Sequence, residues 1–147
     1  MPSYGPEMRG GTAYCTVVIS DQLIGSPIIR NPGYLVAMNR PSLEKFAEQL
    51  KPGGIILINS SLIGIQSGRD DVVELIVPVN DIAIRIGNVR SANIVALSAF
   101  VAKTKLVSME TLLSCVQSEF AKKVDMISLN LVAVEKGKKA IQKTGQI

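Results

Sequence analysis

The sequence predicts an α/β domain in three layers, with a largely parallel sheet in its first half and a helical second half. Two patterns predict this. Apolar, β-branched runs recur between residues 13 and 77 with a helical period set among them, whereas after residue 80 only helical patterning remains. One of them, Ile55 to Ile58, is continuously apolar, as expected of a strand covered on both faces. At 147 residues the chain is read as a single domain, 1–147. With 47% hydrophobic and 19% charged residues it has the material for a real core. That core must be mainly Ile, Val, Leu and Ala, because the aromatics are only Tyr4, Tyr14, Tyr34, Phe46, Phe100 and Phe120.

Residues 1–12 are polar and turn-rich, with Gly5-Pro6 and Gly10-Gly11 as loop signals. Ala13 to Ser20 is rich in β-branched residues and predicts a strand. Asp21 to Gly33 is a connection, with a short strand allowed at Ile28-Ile29, and Tyr34 to Met38 is a second strand. Pro41 suits a first helical turn, and Leu43, Phe46, Ala47 and Leu50 make one apolar face before Pro52-Gly53-Gly54 ends the helix. Ile55 to Ile58 and Val72 to Val77 are further strands. Asn80 is expected to cap a short helix that stops at Gly87, and Ser91 to Lys103 forms an apolar helix. Ser108 caps the next, with Val107 and Leu112 placed as a hydrophobic staple, and it runs to about Lys122. A last helix runs from about Asp125 to Lys138, with Ile127, Leu131 and Val134 inward.

Several function classes are disfavoured. The net charge is +4, with Lys136, Lys138, Lys139 and Lys143 near the end. No aromatics interleave with these lysines, so a solvated helix end is expected rather than a nucleic-acid surface. Cys15 and Cys115 are far apart in apolar surroundings and are expected to be buried, reduced thiols. Two thiols fall short of the roughly four an iron–sulfur cluster takes. Without histidine or a close Cys pair, zinc is disfavoured too. No metal site is therefore expected. The first residues lack a basic-then-apolar leader pattern, and the apolar run Ile94 to Ala102 is too short to span a bilayer. A soluble, cytoplasmic protein is expected, with no membrane contact.

The most informative segment is Ser3-Tyr4-Gly5-Pro6-Glu7-Met8-Arg9-Gly10-Gly11-Thr12-Ala13. Gly10-Gly11 permits close backbone approach and a nest of N–H groups. Arg9 brings a forked cation suited to carboxylate or phosphate, which Glu7 can orient, while Tyr4 and Thr12 add hydroxyls. The loop thus faces an anionic ligand or a partner, or it is a turn that Arg9 and Glu7 pin together. Secondary candidates follow strand ends: Asn39 with Pro41 and Ser42, and Asn59 with Ser60 and Ser61. In open parallel sheets ligands gather at that edge, although Asn and Ser there equally serve as caps and turns. No catalytic residue is expected. Histidine is absent and no Ser or Cys has a visible partner base. Arg69-Asp70-Asp71 is expected to be a solvated loop.

The Ser3–Ala13 string closely resembles the corresponding loop of the gamma subunits of 2-oxoacid:ferredoxin oxidoreductases. The similarity continues through Ile19-Ser20-Asp21, Ile24-Gly25-Ser26-Pro27, Ala37-Met38-Asn39-Arg40-Pro41-Ser42-Leu43-Glu44-Lys45-Phe46 and Asn59-Ser60-Ser61-Leu62-Ile63, and covers essentially the whole chain. The Met-Arg-Gly-Gly-Thr-Ala form is most similar to the 2-oxoglutarate and branched-chain (2-ketoisovalerate) types. The resemblance implies a subunit that is not catalytic alone. Its enzyme would convert a 2-oxoacid to acyl-coenzyme A and CO2 and reduce ferredoxin. Thiamine diphosphate with magnesium would lie between alpha and beta subunits, and iron–sulfur clusters in beta or a delta subunit. The loop (Tyr4, Gly5, Glu7, Arg9, Gly10, Gly11, Thr12) would sit at an interface or beside coenzyme A. Family members begin with a strand, a Gly-Gly-Gln-Gly loop and a helix that this sequence does not show, so an N-terminally shortened domain with an open sheet edge is expected. The rival expectations are a free-standing α/β module that binds an anion or nucleotide, and an inactive fragment.

Overall fold

In a computed structural model of the chain, the structure describes Pro2–Ser3 and residues 12–26 and 28–144. Strands β3 (Tyr34–Ala37), β4 (Ile55–Asn59) and β5 (Val73–Val77) form a parallel sheet in the order β3-β4-β5. Tyr34 lies opposite Ile55, and Ile55 opposite Val73. The central place of β4 follows from its sequence: Ile56, Leu57 and Ile58 carry apolar side chains to both faces, and all three are buried. Each such burial is worth about 1.5–3 kcal/mol relative to exposure. Its neighbours alternate instead, leaving Tyr34, Val36, Val73 and Ile76 partly exposed at the two edges.

One face is covered by α1 (Arg40–Phe46) and the 3-10 turn after it, whose Leu43, Ala47 and Leu50 pack with Ala37, Ile56, Ile58 and Ile63. The other is covered by α2 (Val79–Ile86), α3 (Ala92–Thr104), α4 (Met109–Glu119) and α5 (Val124–Thr144), built around Leu57, Leu75, Val77, Val95, Ala99, Ala133 and Val134. The expected three layers are therefore present. Among the helices, α3 and α5 pack together most extensively. A Cβ at Gly137 would lie 2.4 Å from the Val95 carbonyl oxygen, so only glycine permits this approach. Ser98 Oγ donates to the Val134 carbonyl at 2.5 Å across the same contact.

Several boundaries move. Ala13 to Ser20 is not one strand: only β2 (Tyr14–Cys15) pairs, antiparallel to β1 (Pro2–Ser3). Thr16 to Ser20 has no ladder among the described residues, and Val17 and Ile19 stand exposed. Ile28-Ile29 is not a strand. Asn80 lies inside α2 rather than capping it. The cap position is Pro78, because Asn59 rather than a local side chain accepts from the Val79 N–H. Gly87 ends that helix in the left-handed region at φ 86°, as its sequence position predicts. Ser108 does cap α4, accepting from Thr111 N at 3.0 Å. The last helix continues past Lys138 to Thr144 because Ala140 and Ile141 prolong its apolar stripe and Glu135 pairs with Lys139 at 3.2 Å. Both cysteines are exposed, not buried. Cys15 ends the short strand β2, and Cys115 lies on α4 beside the stripe of its buried Leu112 and Val116.

Candidate functional site

The carboxyl ends of β3 and β4 bring Asn39, Ser42, Asn59 and Ser60 to one edge of the sheet, as the strand order requires. Their local roles are cohesive. Asn39 Oδ1 accepts from Ser42 N at 3.0 Å, so Asn39 caps α1. Asn59 is wholly buried. Its Nδ2 donates to the Met38 carbonyl at 3.2 Å and to Asn80 Oδ1 at 2.8 Å, while its Oδ1 accepts from Val79 N at 3.2 Å. One amide thus ties the end of β3 to the start of α2. Ser60 N donates to the Val77 carbonyl at 2.9 Å. Ser61 Oγ accepts from Asp81 N at 3.0 Å.

The Gly-rich loop is approached from its base. β1 and β2 hold its two ends together, with Ser3 opposite Tyr14 and Pro2 opposite Cys15. The base rests on α1: Lys45 Nζ donates to Thr12 Oγ1 at 3.2 Å, and the Tyr14 and Phe46 rings stand 5.0 Å apart. The Lys45 ammonium also sits 5.9 Å from the Tyr14 ring centroid and 5.4 Å from that of Phe46. Thr12 is the loop candidate with described contacts. Tyr4, Gly5, Glu7, Arg9, Gly10 and Gly11 lie outside the described residues.

Residues 69–71 form a loop with Asp70 and Asp71 exposed, as expected, but Arg69 is partly buried and makes contacts beyond it. Arg69 Nη1 donates to the carbonyls of Ala47 at 2.9 Å and Leu50 at 2.7 Å, closing the turn that follows α1. Its Nε and Nη2 grip both carboxylate oxygens of Asp71, at 2.7 and 2.5 Å. The hydrogen bond from Arg69 holds the Asp71 carboxyl below the ordinary carboxylate range, and the same contact raises the guanidinium. Ser67, beside it, donates from N to Glu74 Oε1 at 2.7 Å and from its hydroxyl to the same oxygen. This clamp fastens the loop before β5 to the turn after α1, a tertiary role that no local spacing announces.

The geometry defines a small α/β module whose described polar groups hold the fold together. The two described segments that flank the Gly-rich candidate, Pro2–Ser3 and Tyr14–Cys15, pair with each other beside α1. The chain belongs to the pyruvate ferredoxin/flavodoxin oxidoreductase family, whose model matches residues 1–140. It is 40% identical over 137 residues to ketoisovalerate oxidoreductase subunit VorA of Methanothermobacter thermautotrophicus, a match spanning 92% of this chain and 28% of that protein. It is 34% identical over 139 residues to 2-oxoglutarate synthase subunit KorC of Methanocaldococcus jannaschii, covering 92% of this chain and 72% of that one. Among solved structures it is similar to the gamma subunit of a keto/oxoacid ferredoxin oxidoreductase from Geobacter sulfurreducens, with a TM-score of 0.74 and 26% identity over 97% of this chain and 79% of that one.

Proposed function

We propose that this chain acts as the gamma component of a 2-oxoacid:ferredoxin oxidoreductase acting on 2-oxoglutarate or 2-oxoisovalerate. The names of its relatives support this choice of acids over pyruvate. In that reaction a 2-oxoacid and coenzyme A give acyl-coenzyme A and CO2, and the electron pair leaves for ferredoxin. Thiamine diphosphate, when bound in partner subunits, supplies the carbanion chemistry of decarboxylation. The two exposed thiols of this chain are too few and too far apart in sequence for a cluster, so the clusters are assigned to partner subunits. Alpha and beta subunits, with delta where one exists, are the partners, in the cytoplasm.

This chain contributes surface and positioning. The observation that carries the proposal is the clamped base of the Gly-rich loop: β1 against β2, with Thr12 held by Lys45. Between those flanks the sequence sets Gly10, Gly11 and Arg9, residue types suited to offer N–H donors and a guanidinium to an anionic group, at the subunit contact or on coenzyme A. Tyr4, Gly5 and Glu7 belong to the same candidate segment. Replacing Arg9 with Ala in the assembled enzyme should lower acid-dependent turnover or release the subunit, by about tenfold if one charge-assisted contact worth about 1.4 kcal/mol is lost. Wild-type turnover together with wild-type assembly would remove the loop from the mechanism.

A further inference from the structure

A groove of about 650 Å³ runs between α2 and α5 beside the outer edge of β5. Its floor is apolar, formed by Ile76 of β5, Ile82 and Ile86 of α2 and Val132 of α5. Ile76 and Val132 remain 39% and 44% exposed. Along the groove stand Arg85, Lys136 and Lys139. Glu135 reaches Lys139, but among the described residues no acidic side chain pairs with Arg85 or Lys136. The lining residues recur three and four apart on each helix, so each contributes one continuous ridge and a third helix can seat its own ridge between them.

A second copy of this chain is a poor occupant. It carries the same net charge of +4, and its helix without basic residues, α4, already commits Leu112 and Val116 to its own core. We propose that this groove docks an acidic amphipathic helix of another subunit. Apolar side chains at i, i+4 and i+7 of that helix would lie on the Ile82–Val132 floor, with carboxylates toward Arg85, Lys136 and Lys139. The floor supplies affinity; Arg85 and Lys136, with Lys139 shared between Glu135 and the incoming helix, fix register and make the contact salt-dependent. The inference rests on the proposed subunit role, since it needs a partner chain.

The test places a benzophenone photo-crosslinking residue at Val132 of the tagged full chain and irradiates the purified assembly. The expected product, mapped by mass spectrometry, joins Val132 to an acidic helical segment of a co-purified subunit. Arg85→Glu with Lys136→Glu and Lys139→Glu should reduce its yield about tenfold or more, with circular dichroism unchanged. A crosslink to a second copy or to a segment without carboxylates, or no crosslink in an intact assembly, overturns the groove while leaving the subunit role standing. If the wild-type chain brings no other subunit, the subunit role fails and the groove is tested alone. The isolated chain is then titrated with two labelled peptides of one composition, Leu and Glu in amphipathic order or scrambled. Saturable anisotropy for the ordered peptide, lost in the triple variant, upholds the groove. Equal binding of both peptides, no binding, or displacement of the ordered peptide by octanoate overturns it.

Discussion

Residues 12–30 and the helical half, 79–144, draw on the same branched apolar side chains and use them in opposite ways. In the helical half Val95, Ala99, Ala133 and Val134 disappear into one core, and α3 and α5 meet across a glycine. In the N-terminal strip Val17, Ile19, Leu23 and Ile28 are 69–103% exposed and no ladder extends beyond Tyr14–Cys15 among the described residues. The helices are completed from within the chain. The strip has the composition of an interior without the neighbours to make one, and apolar exposure on that scale marks a surface meant to be covered. Stability and assembly should therefore be separable by mutation.

The comparison breaks most visibly at Asn59. Asn59→Ala strands the Val79 N–H and the Met38 carbonyl in a buried site, and should cost about 3 kcal/mol in urea unfolding. A loss below about 1 kcal/mol would mean that the sheet edge is less cooperative than its network implies. Next, Gly137→Ala forces α3 and α5 apart and should cost about 1–3 kcal/mol, read in the same assay. Val17→Ser with Ile19→Ser should shift the isolated chain by only about 0.5 kcal/mol, yet weaken its retention in the assembly. A large stability loss there would place the strip in the fold and dissolve the contrast. The smallest effect concerns pH. Asp71 has a lowered folded pKa, so its contribution is present above the ordinary aspartate value of about 3.9 and is lost as pH falls through the folded value. Asp71→Asn should flatten the stability profile below about pH 4 and leave its shape unchanged at neutrality.

Legibility from sequence followed the range of the interactions. The unbroken run Ile55–Ile58 announced a strand covered on both faces, and Gly87 and Ser108 announced a helix stop and a helix start, because each signal acts within a turn or a strand. The strand expected over Ala13–Ser20 shrank to two residues because β propensity makes no ladder without a neighbouring edge. Asn59 was singled out for its place after a strand, but its partners are remote in sequence, so its cohesive role emerged only in three dimensions. Arg69 was missed for the same reason, since the carbonyls it caps belong to a distant turn. Lys136 and Lys139 are exposed on α5, as a solvated helix end predicts, and what the sequence did not show is that α2 lies beside them and makes them part of a groove. The segment from Tyr4 to Gly11 was singled out by its composition and its resemblance and lies outside the described residues; the structure adds the pairing of Pro2–Ser3 with Tyr14–Cys15 on either side of it.

The most direct measurement of the central claim is affinity purification of the tagged chain from its own cells, followed by coenzyme A-dependent dye reduction with 2-oxoglutarate, 2-oxoisovalerate and pyruvate. The account predicts co-purifying subunits that carry thiamine diphosphate and iron–sulfur clusters, and reduction driven by 2-oxoglutarate or 2-oxoisovalerate in preference to pyruvate. A chain that elutes alone and supports no reduction with any of the three acids would contradict it.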